Sequence, residues 1–250
     1  MSPKKATPRL SKPLQSKSSL SRQHKALAEE IIFQSLYMKQ KGLTPGHSGN
    51  ISARCPDETE GKILSFLITP TGVPYENLKP KDIVLVSKDP VTGEASWDER
   101  GLAPSSEWQF HLSAYEASSG VQALVHTHSN YATTIACANL EIPAFHYMVA
   151  AAGGKIIPLV PYAIFGSKKL SDGVAKAFKN YKACLMAHHG LLTGEKTLAK
   201  AMELTEIVED LAKQFWSLKQ LGEPKLLSDR QMNEVIKKFQ TYGQQNSADA

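Results

Sequence analysis

The chain has 250 residues, 42% of them hydrophobic, enough for one fairly large globular domain with a sizeable core. It contains no apolar run of about 18 residues, which excludes a membrane-spanning helix. The net charge of +5 is unevenly placed: seven Lys and Arg precede the first acid, Glu29, and leave a body of net charge −2.

Residues 1–23 are rich in Ser, Pro and Lys and poor in large apolar side chains. Such a stretch cannot offset its own ordering entropy, so a disordered basic tail is expected. Nucleic-acid-binding arms and transit peptides share this composition, but neither aromatic interleaving nor a recognisable binding module accompanies it. A solvated extension is expected, and nucleic acid is not expected as a partner. The three cysteines, Cys55, Cys137 and Cys184, form no CxxC, which suggests neither a disulfide framework nor a thiolate metal site. That pattern suits a reducing cytoplasm, and Cys137 and Cys184 read as small buried residues.

From residue 24 the pattern becomes regular. His24 to Lys41 places Ala28, Ile31, Ile32, Ser35 and Leu36 at helical spacing and ends near Gly42, which predicts an amphipathic first helix. GLTPGHSGN then breaks regularity and reads as a loop able to approach a ligand closely. ISAR, KILSFLIT and DIVLVS are β-type runs separated by turn chemistry, which predicts a meander. The residues around DPVTGEASWDERG are expected to lengthen a hairpin.

SSEWQFHLSAYEAS reads as a helix with Trp108, His111, Leu112 and Tyr115 on one stripe and Ser105 or Ser106 as its cap. VQALVHTH is an apolar strand ending in a histidine pair, followed by a helical SNYATTIACANL. Gly153 to Phe165 is extended and interrupted by proline, hence an edge strand or loop. LSDGVAKAFKN is a short helix, KACLMAHHG a buried strand stopping at Gly190, LAKAMELTEIVEDLAKQFWSLKQLG a long helix, and LSDRQMNEVIKKFQTYG a last one. The expected fold is an α/β (α+β layered) single domain over residues 24–243, with a central, mostly antiparallel sheet flanked by helices and a flexible end at 244–250.

Alternate residues of a strand share a face, so His126 and His128 can aim both imidazoles at one point. The pair His188 and His189, delivered by the apolar run ACLMA, offers a third imidazole, and only one of the two need coordinate. Three nitrogen ligands with an open position are the usual pattern of a catalytic zinc. Histidines at strand ends are also ordinary polar residues, and for His47, His111 and His146 loop, core or hydrogen-bonding roles are expected. SGN at Ser48 to Asn50, TPTG at Thr69 to Gly72 and PSSE at Pro104 to Glu107 combine hydroxyls with turn backbone that can donate to an oxyanion. Each also reads as plain turn or cap chemistry. Glu107 is the candidate general base, although a carboxylate without a known partner is ordinarily a surface group.

GHSGNIS, ITPTGVPYENL, LAPSSEWQFHLSAY, LVHTHS, IPAFHYMVAAAGG, VPYAIFG, LMAHHGLL and KFQTYG, occurring in this order, resemble the class II aldolase and adducin-like family over about residues 26 to 243. The likeness is to its bacterial L-fuculose-phosphate aldolase branch. The resemblance implies one zinc ion per subunit on His126, His128 and His189, with His188 left out, and Glu107 as the catalytic carboxylate. It implies phosphate binding at Gly49, Asn50, Thr71, Gly72, Ser105 and Ser106. Tyr147 corresponds to a tyrosine that reaches the neighbouring subunit's active site, and Phe165 and Tyr242 to residues at the aldehyde end of the pocket. A cytoplasmic homotetramer cleaving a small phosphorylated sugar, an L-fuculose 1-phosphate-like ketose, to dihydroxyacetone phosphate and an aldehyde such as L-lactaldehyde is implied. The same scaffold supports 5-deoxyribulose or methylthioribulose 1-phosphate aldolases, a pentulose-phosphate epimerase and a dehydratase. Adducin-like interaction proteins of the family lack the metal histidines, so their presence here implies an enzyme.

Overall fold

A computed structural model describes residues 21–55 and 64–241. The first helix, α1 (Arg22–Gln40), opens where the Ser21 hydroxyl accepts the His24 N–H at 3.2 Å. It begins two residues before the expected start, because Ser21 supplies a cap that His24 cannot. Of the anticipated tail, residues 1–20 lie outside the described residues. The buried stripe of α1 is Ala28, Ile31, Gln34, Ser35 and Met38, with Leu36 exposed. It is rotated from the expected face because the small Ala28 and Ser35 let the helix approach the sheet closely.

Among the described residues eight strands form one sheet. β1 (Asn50–Arg54), β2 (Leu64–Ile68), β3 (Val84–Lys88) and β4 (Ala95–Ser96) run as the expected antiparallel meander. Asp89 Oδ1 accepts the N–H groups of Val91 and Thr92 in the β3–β4 turn. β5 (Ala123–Thr127) joins the other side of β1, and β6 (Leu159–Val160), β7 (Ala183–Met186) and β8 (Gly190–Glu195) complete the order β4-β3-β2-β1-β5-β8-β7-β6. Only β6 runs parallel to its neighbour, β7, and it lies on the edge, as the prolines around it require. The sequence reading stops at Gly190, whereas the chain there reverses and starts β8. Pairing with β5 on one side and β7 on the other makes Leu191 to Thr193 a central strand, a long-range effect that a short apolar run does not announce.

Helices cover both faces. Phe66, Ile68, Leu124, Cys184, Met186 and Leu192 pack on one face against α2 (Trp108–Ala117) and α4 (Lys168–Phe178). On the opposite face Ile51, Leu67 and Val125 meet α1, while Leu185 and Leu191 meet α3 (Asn130–Cys137), α5 (Leu198–Leu221) and α6 (Asp229–Thr241). The result is a three-layer domain whose strands alternate between two cores. Cys55 and Cys184 are buried, but Cys137 is exposed, because the buried side of α3 is formed by Ala132, Ile135 and Ala136. Among the described residues no helix is long and apolar enough to cross a membrane.

This alternation decides where the polar residues go. Leu124 faces α2 and α4, so His126, two residues on, shares that face. Ile51 and Ala53 face α1, so Asn50 and Ser52 face α2. The register places Asn50 opposite His126. Two glycines clasp the end of β5 from either side: a Cβ on Gly49 would lie 2.5 Å from the His126 carbonyl, and one on Gly190 would lie 2.4 Å from the Thr127 carbonyl and 2.9 Å from the His128 ring. Neither backbone oxygen can move without breaking the sheet. Gly190→Ala is expected to cost about 2 kcal/mol and to lower the melting temperature by about 4–8 °C. Gly46→Ala, with φ +63° and open space around its Cβ, should cost only about 1 kcal/mol; thermal unfolding of the two variants measures the contrast.

Candidate functional site

Sheet and helix meet at a cluster of three imidazoles and one carboxylate. His126 is the penultimate residue of β5, His128 lies just beyond the strand, and His189 sits in the turn between β7 and β8; one ligand nitrogen from each falls within 4.8 Å of the others. The choice between the adjacent histidines is made by the backbone. His188 adopts the left-handed conformation, φ +55°, and its Nε2 accepts the Asn139 amide at 2.9 Å, away from the cluster. His189 is thereby turned inward.

Glu107 occupies the cap position of α2, but its carboxylate leaves the helix end free. It reaches His126 Nε2 at 3.2 Å and His189 Nε2 at 2.8 Å, and accepts the Asn50 amide at 2.8 Å. The expected capping serine acts one step earlier: Ser105 Oγ accepts the Glu107 N–H at 3.3 Å. Glu107 is only 7% exposed. Burial pushes its carboxyl upward, but the His126 and His189 rings more than offset this and hold it below the usual carboxylate range.

The donor set fits a divalent cation. His126 Nδ1–H donates to the Leu191 carbonyl at 2.9 Å, which turns Nε2 toward the cluster centre, 3.0 Å from His128 Nε2. Burial first, then the neighbouring His126 and His189 rings, lowers His128 to about 3, so its imidazole is neutral and able to coordinate. Three ring nitrogens converging beside a carboxylate are a donor set that a divalent cation would satisfy together.

The three candidate oxyanion stretches are joined into one wall. Thr69 N–H donates to Ile51 O, Ser105 N–H to Thr69 O and Thr71 N–H to Ala103 O, at 3.0 to 3.1 Å, and Pro70 bridges Pro104. Thr71, Gly72 and Ser106 are exposed, whereas Ser105 and Asn50 are buried. Gly49 N–H is taken by Thr44 Oγ1, and its carbonyl accepts the buried Tyr75 hydroxyl. The Asn50 side chain is engaged by Glu107 and His111. Phe165 is exposed beside Gly166, which packs on the Ser106 carbonyl, and Tyr147 is half-exposed against His146. Tyr242 lies outside the described residues.

Several contributors were not singled out from sequence. Glu209 on α5 accepts the Ser129 hydroxyl and the N–H groups of Tyr131 and Ala132 at 2.7 to 2.9 Å, capping α3 immediately after His128. His111 takes the core and hydrogen-bonding role expected for it: Nε2 lies 2.5 Å from Asn50 Oδ1 and Nδ1 2.7 Å from Ser52 Oγ. The signal was present as Glu107 and His111 one helical turn apart on α2, with Asn50 and Ser52 at strand spacing on β1.

Comparison with known proteins identifies the family. The profile described as "Class II Aldolase and Adducin N-terminal domain" matches residues 29–216. L-fuculose phosphate aldolase of Escherichia coli (strain K12) is 44% identical over 218 residues, 87% of this chain and 95% of that protein. The 5-methylthioribulose-1-phosphate/5-deoxyribulose-1-phosphate aldolase of Rhodospirillum rubrum is 41% identical over 219 residues, 87% of this chain and 93% of that one. A solved L-fuculose 1-phosphate aldolase superposes with a TM-score of 0.78 at 34% identity, covering 90% of this chain and 100% of that one. The chain belongs to the class II aldolase and adducin family and is a lyase.

Burial lowers the His111 imidazole to about 3, the His126 ring adding to the effect and Glu107 opposing it. The unfolded chain protonates this histidine near 6.5 and the folded protein does not, so stability falls as pH drops from about 6.5 toward 3, by about 1.4 kcal/mol per unit from this residue. Urea unfolding across this range should show a shallower pH slope for His111→Gln than for the parent, whatever its absolute stability. Parallel slopes would mean that His111 does not stay neutral.

Proposed function

We propose that this family member is a zinc-dependent aldolase that splits a ketose 1-phosphate of the L-fuculose 1-phosphate kind into dihydroxyacetone phosphate and a small aldehyde such as L-lactaldehyde. The observation that carries the reading is a buried carboxylate, Glu107, in direct contact with two of three convergent imidazoles. His126, His128 and His189 would hold the metal, which when bound supplies Lewis-acid stabilisation of negative charge on substrate oxygens.

The remaining work belongs to the chain's own groups. The wall built from residues 48–50, 69–72 and 104–107 would bind the phosphate through the hydroxyls of Thr71, Ser105 and Ser106 and the backbone of Asn50 and Gly72, with Gly49, whose N–H and carbonyl are already engaged, shaping it. Its binding energy fixes the reacting carbons beside Glu107. In cleavage, Tyr147, having given its own proton to solvent, takes the proton of the C4 hydroxyl, the C3–C4 bond breaks with its electron pair left on C3, and Glu107, having taken a proton from solvent, passes it to C3. In condensation the two groups exchange roles. Tyr147 is exposed on its own chain, which suits action on a neighbouring subunit of a homotetramer, with Phe165 and Tyr242 lining the aldehyde end.

The similar identities to the fuculose-type and to the methylthioribulose/deoxyribulose-type relatives favour a second reading, in which the aldehyde carries a shorter or thioether-bearing tail. A panel of ketose 1-phosphates assayed for dihydroxyacetone phosphate release separates them, with L-fuculose 1-phosphate expected to give the highest kcat/KM. His128→Ala should lower the zinc content measured by mass spectrometry and abolish release. Glu107→Gln should keep its zinc and lose roughly 10²-fold in kcat; near-normal turnover would remove Glu107 from the chemistry.

A further inference from the structure

Behind Glu107 lies a continuous run of buried polar groups that leads away from the cluster into the core between β1 and α2. Tyr115 hydroxyl lies 2.7 Å from Ser52 Oγ, Ser52 Oγ 2.7 Å from His111 Nδ1, His111 Nε2 2.5 Å from Asn50 Oδ1, and Asn50 Nδ2 2.8 Å from Glu107 Oε2. The exposures of Tyr115, Ser52, His111 and Asn50 are 1%, 0%, 0% and 3%. Five polar side chains in an apolar layer are costly to keep, and each is satisfied by its neighbours in the run.

We infer that His111, held by Ser52 and Tyr115, is a positioning residue: it locks the Asn50 amide with its N–H toward Glu107 and so fixes the carboxylate for proton transfer. The inference rests on the aldolase reading above and goes beyond it to residues that meet neither metal nor substrate.

The direction of every hydrogen bond follows from the chemistry of the ends. The Asn50 amide nitrogen faces Glu107 Oε2, to which it donates, and Asn50 Oδ1 faces His111 Nε2. A carbonyl oxygen can only accept, so His111 carries its proton on Nε2. Nδ1 is then bare and accepts the Ser52 hydroxyl, whose oxygen in turn accepts the Tyr115 O–H. If His111 took the other tautomer, Asn50 would flip and set its carbonyl oxygen against the Glu107 carboxylate. Strand spacing explains the fit: Asn50 and Ser52, two apart on β1 and so about 7 Å apart on one face, bracket the His111 ring, one at each nitrogen. Phe110, stacked on the His111 ring at 5.0 Å between centroids, holds its plane.

The test uses the full-length, metal-loaded protein with His111→Leu, His111→Gln and Ser52→Ala. Three quantities are read: metal content, kcat and KM for release of dihydroxyacetone phosphate, and the rate of deuterium exchange from solvent into C3 of dihydroxyacetone phosphate, which isolates proton transfer by Glu107. His111→Leu should lower kcat and the exchange rate together by roughly 10- to 100-fold with metal and KM retained. His111→Gln, whose amide can donate in place of Nε2–H, should recover most of the loss. Ser52→Ala, which removes one oxygen and preserves the fold, should lower both rates to a smaller extent. Full activity in His111→Leu and Ser52→Ala, a loss that merely follows metal loss, or a Gln variant as poor as Leu overturns the inference. Nitrogen-15 NMR of the parent gives an independent reading: a neutral Nε2–H tautomer at His111 is expected, and the Nδ1–H tautomer refutes the orientation. A parent protein with that tautomer but no aldol cleavage or exchange would instead sink the aldolase reading, and the inference with it.

Discussion

An ionised carboxylate enclosed by protein demands partners, because its lost hydration amounts to several kcal/mol. Glu107 finds them in three segments that are distant in sequence: Asn50 from β1, His126 from β5, and His189 from the turn before β8. The sheet order that brings β1, β5 and β8 side by side is what makes this satisfaction possible. Core and site therefore stand or fall together. Removal of one partner leaves a charge with no water to replace it, while the leucines and phenylalanines of the same strands pack the layer that keeps water away.

Much of this was legible in the sequence, for reasons of local periodicity. Strand alternation in VQALVHTH puts His126 and His128 on one side without any knowledge of the fold, and the long α5 announces itself through helix-forming residues. Boundaries and choices that depend on distant partners were less legible. β8 exists because β5 and β7 flank it. Residues 50 and 107, 57 positions apart, carry no mark of their hydrogen bond. Glu209 reads as one of many charges on a surface helix until the start of α3 is seen to rest on it. The exposed Cys137 and Leu36 show the converse: apolar character alone does not say which side of a helix meets the sheet.

The molecule divides its polar groups by depth. The deep polar groups are each tied to a backbone carbonyl or a neighbouring side chain, as His126 is to Leu191. Groups suited to recognising a soluble anion, Thr71, Gly72 and Ser106, lie at the surface on loops that backbone hydrogen bonds stitch together. The aromatic side chains Tyr147, Tyr162 and Phe165 extend further out still, each more than half exposed. Variation at outer positions such as Tyr162 and Phe165 can alter what is recognised without disturbing the buried polar cluster, which suits a family whose named relatives here differ in the sugar phosphate they use.

The left-handed residue at His188 settles a question that composition cannot. Two identical side chains stand next to each other, and nothing in their chemistry favours one. The chirality of a single backbone step sorts them, sending His188 toward Asn139 and His189 toward Glu107. Selectivity at this position is stereochemical in origin, held at a conformational cost of about 1 kcal/mol.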